Sequence, residues 1–84
     1  MIRYTVVWAK SAQDELAELW LSASDRNAVT RAALAIDEML GQDAPLRGSD
    51  LREGLRSLFA PPLKAIFTVR EDDRIAEVLR VRNL

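Results

Sequence analysis

The chain of 84 residues contains no cysteine and no histidine. The first absence excludes disulfides, thiol nucleophiles and thiolate metal sites. The second removes the commonest general acid/base and the commonest metal ligand. Neither a Ser-His-Asp triad nor a His-ligated zinc can be built. Glycine and proline occur three times each and aromatic residues make up only 6% of the chain, so it is neither a glycine-rich linker nor a proline-rich ligand. No run approaches the roughly 18 apolar residues of a membrane span, and Met1-Ile2-Arg3-Tyr4-Thr5 does not open an apolar signal segment. A cytoplasmic protein with no membrane partner is expected.

What is present describes one folded unit. Hydrophobic residues make up 49% of the chain and the net charge is only −1, a composition that folds rather than staying disordered. The length suffices for one domain, residues 1–84, with a single modest core. It leaves no room for a second domain that would cradle a nucleotide cofactor, and no cofactor or metal is expected. Charge is unevenly spread. Residues 1–45 carry four cations against seven carboxylates, whereas residues 46–84 carry eight against six. Seven of those eight are arginine, whose planar fork suits phosphate and carboxylate. A solvated strand face laced with ion pairs accounts for them equally well. The balance argues against indiscriminate nucleic-acid binding, so any phosphate site must be local.

Residues Arg3–Ala9 alternate, with Tyr4, Val6 and Trp8 on one side, and are rich in β-branched and aromatic residues: a strand. Ser11, with Asp14 three positions on, reads as a helix N-cap and capping box. Ala12, Leu16, Leu19, Trp20 and Ala23 recur at helical spacing, which leaves Asp14, Glu15 and Glu18 on the wet side. Ser24-Asp25 caps a second helix whose apolar stripe runs through Ala28, Val29, Ala32, Ala33, Ile36, Met39 and Leu40 and stops at Gly41. The two form a helical hairpin. Residues 41–53 have loop composition, with Leu46 and Leu51 expected to tack them to the core. Leu55–Phe59 is a short strand, ended by Pro61-Pro62. Leu63–Arg70 and Arg74–Arg82 alternate as strands around an acidic turn, Glu71-Asp72-Asp73. In the last strand, strict alternation sets Ile75, Glu77, Leu79 and Val81 against Ala76, Val78, Arg80 and Arg82. The order β-α-α-β-β-β predicts an α+β domain, with a helical hairpin packed on a small, mainly antiparallel sheet.

This order, together with Gly54-Leu55-Arg56-Ser57-Leu58, Leu63-Lys64-Ala65-Ile66-Phe67 and Val78-Leu79-Arg80-Val81, resembles the RelE/ParE toxin superfamily of bacterial type II toxin–antitoxin (plasmid stabilisation) modules. The resemblance spans nearly the whole chain. It implies a small growth-inhibiting toxin neutralised by a cognate antitoxin. RelE-like members are metal-independent endoribonucleases (mRNA interferases) that cut messenger RNA on the ribosome, whereas ParE-like members inhibit DNA gyrase. Lys64 stands where the family carries a strand arginine, keeping the charge without the bidentate fork. The RNA-cleaving branch also places a functional tyrosine or histidine in a basic tail after its last strand. Asn83-Leu84 holds neither. A member that binds its antitoxin without being toxic is the third expectation.

Metal-free RNA cleavage requires a deprotonated 2′-hydroxyl, stabilised charge on the pentavalent phosphate and a protonated leaving 5′-oxygen. On the resemblance, Lys64, Arg80 and Arg82 are the expected catalytic residues and Arg56 an RNA-phosphate contact. Arg80 and Arg82 share a strand side, and a neighbouring strand could bring Lys64 beside them. The Glu71-Asp72-Asp73 run is expected to be a turn rather than a metal site. Trp8 and Trp20 sit on apolar stripes and are expected to pack rather than stack on bases.

Overall fold

A computed structural model describes all of residues 1–84. The chain runs through β1 (Thr5–Trp8), α1 (Lys10–Ser22), α2 (Arg26–Leu40), a single 3-10 turn (Ala44–Leu46), β2 (Ser49–Arg52), β3 (Leu55–Ala60), β4 (Leu63–Arg70) and β5 (Ile75–Asn83). The strands form one sheet in the order β1-β5-β4-β3-β2. Only β1 and β5 are parallel, joined in register Thr5↔Ile75 to Trp8↔Val78; the other three pairings are antiparallel. The expected α+β architecture with a helical hairpin on a mainly antiparallel sheet is present. No helix is long and apolar enough to cross a membrane.

Both helices lie on one face of the sheet. Leu58 and Ala60 of β3, Leu63, Ala65 and Phe67 of β4 and Ala76, Val78 and Val81 of β5 are buried, and all point to that side by register. From the helices, Ala12, Val29, Ala32, Ile36 and Leu40 meet them. The stripe read on the second helix is therefore the buried one. Asp25 caps that helix, accepting a hydrogen bond of 3.0 Å from the Ala28 N–H.

The structure corrects four sequence expectations. The first helix starts at Lys10, one residue before Ser11, with Ala9 as N-cap and no side-chain cap. Ser11 instead donates its hydroxyl to the Leu79 carbonyl, 2.9 Å away. Residues 41–53 are not all loop: Ser49–Arg52 adds a fifth, edge strand, invisible to patterning because all four residues are exposed. Leu46 is 80% exposed and Leu51 also lies outward, while Ala44 is the residue buried from this stretch. Finally, β5 does not alternate strictly. Ile66 faces Arg80 but Phe67 faces Val78, so Leu79 is an extra residue in the ladder. This bulge reverses the phase, placing Ala76, Val78 and Val81 on the core side.

Tight turns set the sheet's outer half. Glu53 (φ 39°) and Gly54 (φ 81°) make a two-residue turn between β2 and β3, where both central residues need positive φ. Gly48 (φ 64°) lies so close to β3 that a Cβ there would sit 2.0 Å from the Ser57 carbonyl oxygen. Only glycine fits.

Candidate functional site

The antiparallel ladders assemble a row of side chains on the sheet face away from the helices. Phe59 of β3 pairs with Lys64 of β4, and Lys64 pairs with Arg82 of β5. The adjoining row is Ser57, Ile66 and Arg80. Lys64, Arg80 and Arg82 are thus neighbours at the open end of the β4–β5 hairpin, Lys64 near its start and the arginines near its finish. The bulge at Leu79 matters here, since Arg80 and Arg82 both lie beyond it and keep one phase. Neither row contains a carboxylate.

Arg80 is the most constrained of the three. Its Nε donates to Glu15 Oε2 at 2.8 Å, and the other carboxylate oxygen of Glu15 accepts from the Val81 N–H at 3.0 Å. The reason is topological. Strand β1 covers the edge of β5 only as far as Val78, and the chain then turns into α1. Beyond that point α1 supplies the missing partners for the strand edge, Ser11 at the Leu79 carbonyl and Glu15 at the Val81 N–H. Glu15 therefore leaves the wet face on which helical spacing had placed it with Asp14 and Glu18. The Arg80 hydrogen bond holds its carboxyl below the usual glutamate value, the Val81 N–H and nearby Arg82 acting in the same direction against partial burial.

Lys64 is half-buried and makes no ion pair within 4 Å; its Nζ stands 5.6 Å from the centroid of the Phe59 ring. Arg82 is exposed and unpaired by the same measure. Arg56 does not join them. It pairs with Phe67 across the ladder and so projects to the helix side. Its guanidinium donates to the carbonyls of Arg47 (2.8 Å from Nη2) and Gly48 and to the Asp50 carboxylate, tying β3 to the segment that leads into β2. Those bonds give Arg56 a structural task.

The remaining candidates fall elsewhere. Glu71, Asp72 and Asp73 form the turn between β4 and β5, and nowhere do three acidic side chains converge as a metal ion requires. Tyr4, the only tyrosine, is in the core. Trp8 and Trp20 line a groove of about 770 Å³ between α1 and α2, on the helix side of the sheet. Their indole N–H groups are anchored, Trp8 to Asp37 Oδ1 at 2.7 Å and Trp20 to Thr30 Oγ1 at 3.2 Å. Leu21 and Leu34 on the groove's flanks are 62% and 58% exposed. Strand spacing together with the family resemblance marked Lys64, Arg80 and Arg82. It missed Glu15, whose role depends on where β1 stops, and Phe59, whose face is defined only once β3 is paired.

No family model matches the chain, and no curated protein matches it by sequence. Solved structures do match in fold. A chain of the RelBE2 toxin–antitoxin complex from Mycobacterium tuberculosis superposes with a TM-score of 0.83 at 18% identity, over 100% of this chain and 94% of that one. A chain of the chromosomal ParDE toxin–antitoxin system from P. aeruginosa gives 0.74 at 18% identity, over 98% and 97%. The archaeal RelE–RelB complex from Pyrococcus horikoshii gives 0.73 at 17% identity, over 98% and 96%. The chain has the fold of the RelE and ParE toxins.

Proposed function

We propose that this chain is the toxin component of a bacterial type II toxin–antitoxin module, acting in the cytoplasm on ribosome-bound messenger RNA through the Lys64–Arg82 face of its sheet and held in check by a cognate antitoxin. The observation that carries the reading is the whole-length match to RelE and ParE toxin folds, combined with convergence of three cations on the one sheet face that no helix covers. In metal-independent cleavage, Arg80 and Arg82 stabilise the charge of the pentavalent phosphate. Lys64 is the one member of the row with a proton to exchange, since a guanidinium stays protonated. Glu15 acts through Arg80, holding its Nε and Nη2 and leaving its Nη1 to a phosphate. The apolar groove between the helices is the kind of exposed surface a partner covers, and we assign it to the antitoxin.

Gyrase inhibition is the second reading. It is favoured by the absence of a free base beside the row: Glu15 is engaged twice and Tyr4 is in the core. Induced expression in a bacterial host, wild type beside K64A/R80A/R82A, separates the readings when translation and replication are labelled in parallel. The expected result is growth arrest with translation lost first, abolished in the triple variant while its circular dichroism stays unchanged. Replication lost first selects gyrase. Absence of arrest from soluble, folded wild type leaves an antitoxin-binding protein without toxicity. Retained toxicity in the triple variant removes these cations from the site.

A further inference from the structure

Phe59 is the unexplained residue of the open face. It is 56% exposed on β3, paired to β4 just past the end of the β2 ladder, with its side chain turned away from the core, where residues are normally polar. Across the row it faces cations, Lys64 directly and Arg82 beyond it, and the apolar residue diagonal to it on this face, Ile66, is half-buried rather than exposed. Its inward neighbours Leu58 and Ala60 fill the core without it. The Lys64 ammonium, 5.6 Å from the ring centroid, lies near the outer limit of a cation–π contact and leaves more than half of the side chain in water. The core does not include this ring.

The row supplies a role for it. Direct pairing places the ring, the Lys64 ammonium and the Arg82 guanidinium on three adjacent strands, roughly 5 Å apart from strand to strand. A flat apolar surface beside two cations, with no carboxylate between them, complements a polymer that alternates flat faces with negative charges. Single-stranded nucleic acid is that polymer; an acidic peptide offers the charge without the flat face. We propose that Phe59 is a stacking platform for one nucleobase of a single-stranded RNA whose phosphates are held by Lys64 and Arg82. The inference rests on the RNA-directed reading above and adds to it the element that positions the strand. Every base has a π-face, so Phe59 fixes where the chain lies without selecting its sequence.

The test measures binding of a fluorescently labelled, single-stranded oligoribonucleotide to the full chain by anisotropy across a salt series. A non-cleavable 2′-deoxy position is included, and the wild type is compared with Phe59→Ala, Phe59→Trp and Lys64→Ala/Arg82→Ala. Phe59→Ala is expected to weaken binding about tenfold with the salt slope unchanged, because it removes a stack and leaves the phosphates neutralised as before. Phe59→Trp restores affinity. The double cation variant flattens the slope by roughly 0.7 for each phosphate it no longer neutralises. An oligomer whose bases are replaced by abasic sites binds wild type and Phe59→Ala equally. Phe59→Ala within twofold of wild type, while the cation variant still loses affinity, overturns the stacking role and leaves the RNA reading standing. Wild type that binds no RNA even at low salt overturns both. Loss of antitoxin binding by Phe59→Ala with RNA binding intact overturns the proposal by assigning the ring to the protein interface.

Discussion

Two phenylalanines on adjacent strands are predicted to behave in opposite ways when truncated. Phe67 on β4 is 0% exposed and is the largest side chain fully enclosed in the core, whereas Phe59 on β3 is 56% exposed on the opposite face. Phe67→Ala forfeits both the transfer free energy of the ring and the packing around the void it leaves, about 3–5 kcal/mol. A domain of this length is stable by about 4–13 kcal/mol, so the variant stands near the threshold of unfolding. At about 4–8 °C per kcal/mol its midpoint falls by at least about 12 °C. Phe59→Ala exposes no cavity and forfeits less than half of a phenylalanine's transfer term, about 1 kcal/mol. Thermal and urea denaturation followed by circular dichroism measure both. Equal losses in the two variants would refute the face assignment and, with it, the claim that Phe59 is free to meet a ligand.

Gly48→Ala places a Cβ 2.0 Å from the Ser57 carbonyl oxygen at positive φ and is expected to destabilise by about 3 kcal/mol; Gly54→Ala, with no atom within 4 Å of the new Cβ, incurs only the left-handed penalty of about 1–2 kcal/mol. Similar denaturation midpoints for the two would contradict the close approach of Gly48 to β3. Glu53→Asn is expected to raise the midpoint by a few degrees, since asparagine tolerates the φ of 39° at the first central position of this hairpin turn better than glutamate does; an unchanged or lower midpoint counts against the turn geometry. Glu15→Gln tests the edge staple through pH. A carboxyl held below its ordinary 4.5 in the folded protein contributes stability that is fully present above that value and is lost as pH falls through the folded one. The wild-type advantage over Glu15→Gln in urea should therefore be full near neutrality and vanish in acid, and a pH-independent gap would refute the ionic role.

Much of this fold is legible because its elements keep to one period. The alternation of Leu63–Arg70 and the i, i+3, i+4 stripe of Val29, Ala32, Ile36 and Leu40 report a single buried face each. The failures have separate physical causes. Strand β2 has no buried face, so nothing in Ser49–Arg52 repeats at period two; pairing to β3 and the glycine turns at 48 and 54 create it. The bulge at Leu79 is hidden for a different reason. One extra residue in Ile75–Asn83 leaves two short stretches that each alternate, and only the partner strand shows that they are out of phase. Ser11 reads as a cap by composition, yet its hydroxyl is claimed by a carbonyl 68 residues away. Local propensity yields to that long-range bond.

The candidate site follows the same division. Its cations could be found in sequence because strand spacing brings Arg80 and Arg82 to one side. Their environment could not, because it depends on the length of β1. Had β1 run on as far as Val81, three residues past its last partner Val78, its backbone would have covered that edge of β5, and Glu15 would have had no unpaired N–H to meet. Arg80 would then have been a third free cation beside Lys64 and Arg82. As built, Glu15 removes one unit of net charge from the row and gives Arg80 a fixed direction in exchange. That arrangement suits a site in which a guanidinium must face one phosphate oxygen more than one in which charge alone attracts a polyanion. It also separates the two surfaces of the molecule. The Trp8–Trp20 groove lies on the helix side and the cation row on the other, with the closed core between them. A molecule seated only in the groove would therefore leave the row exposed.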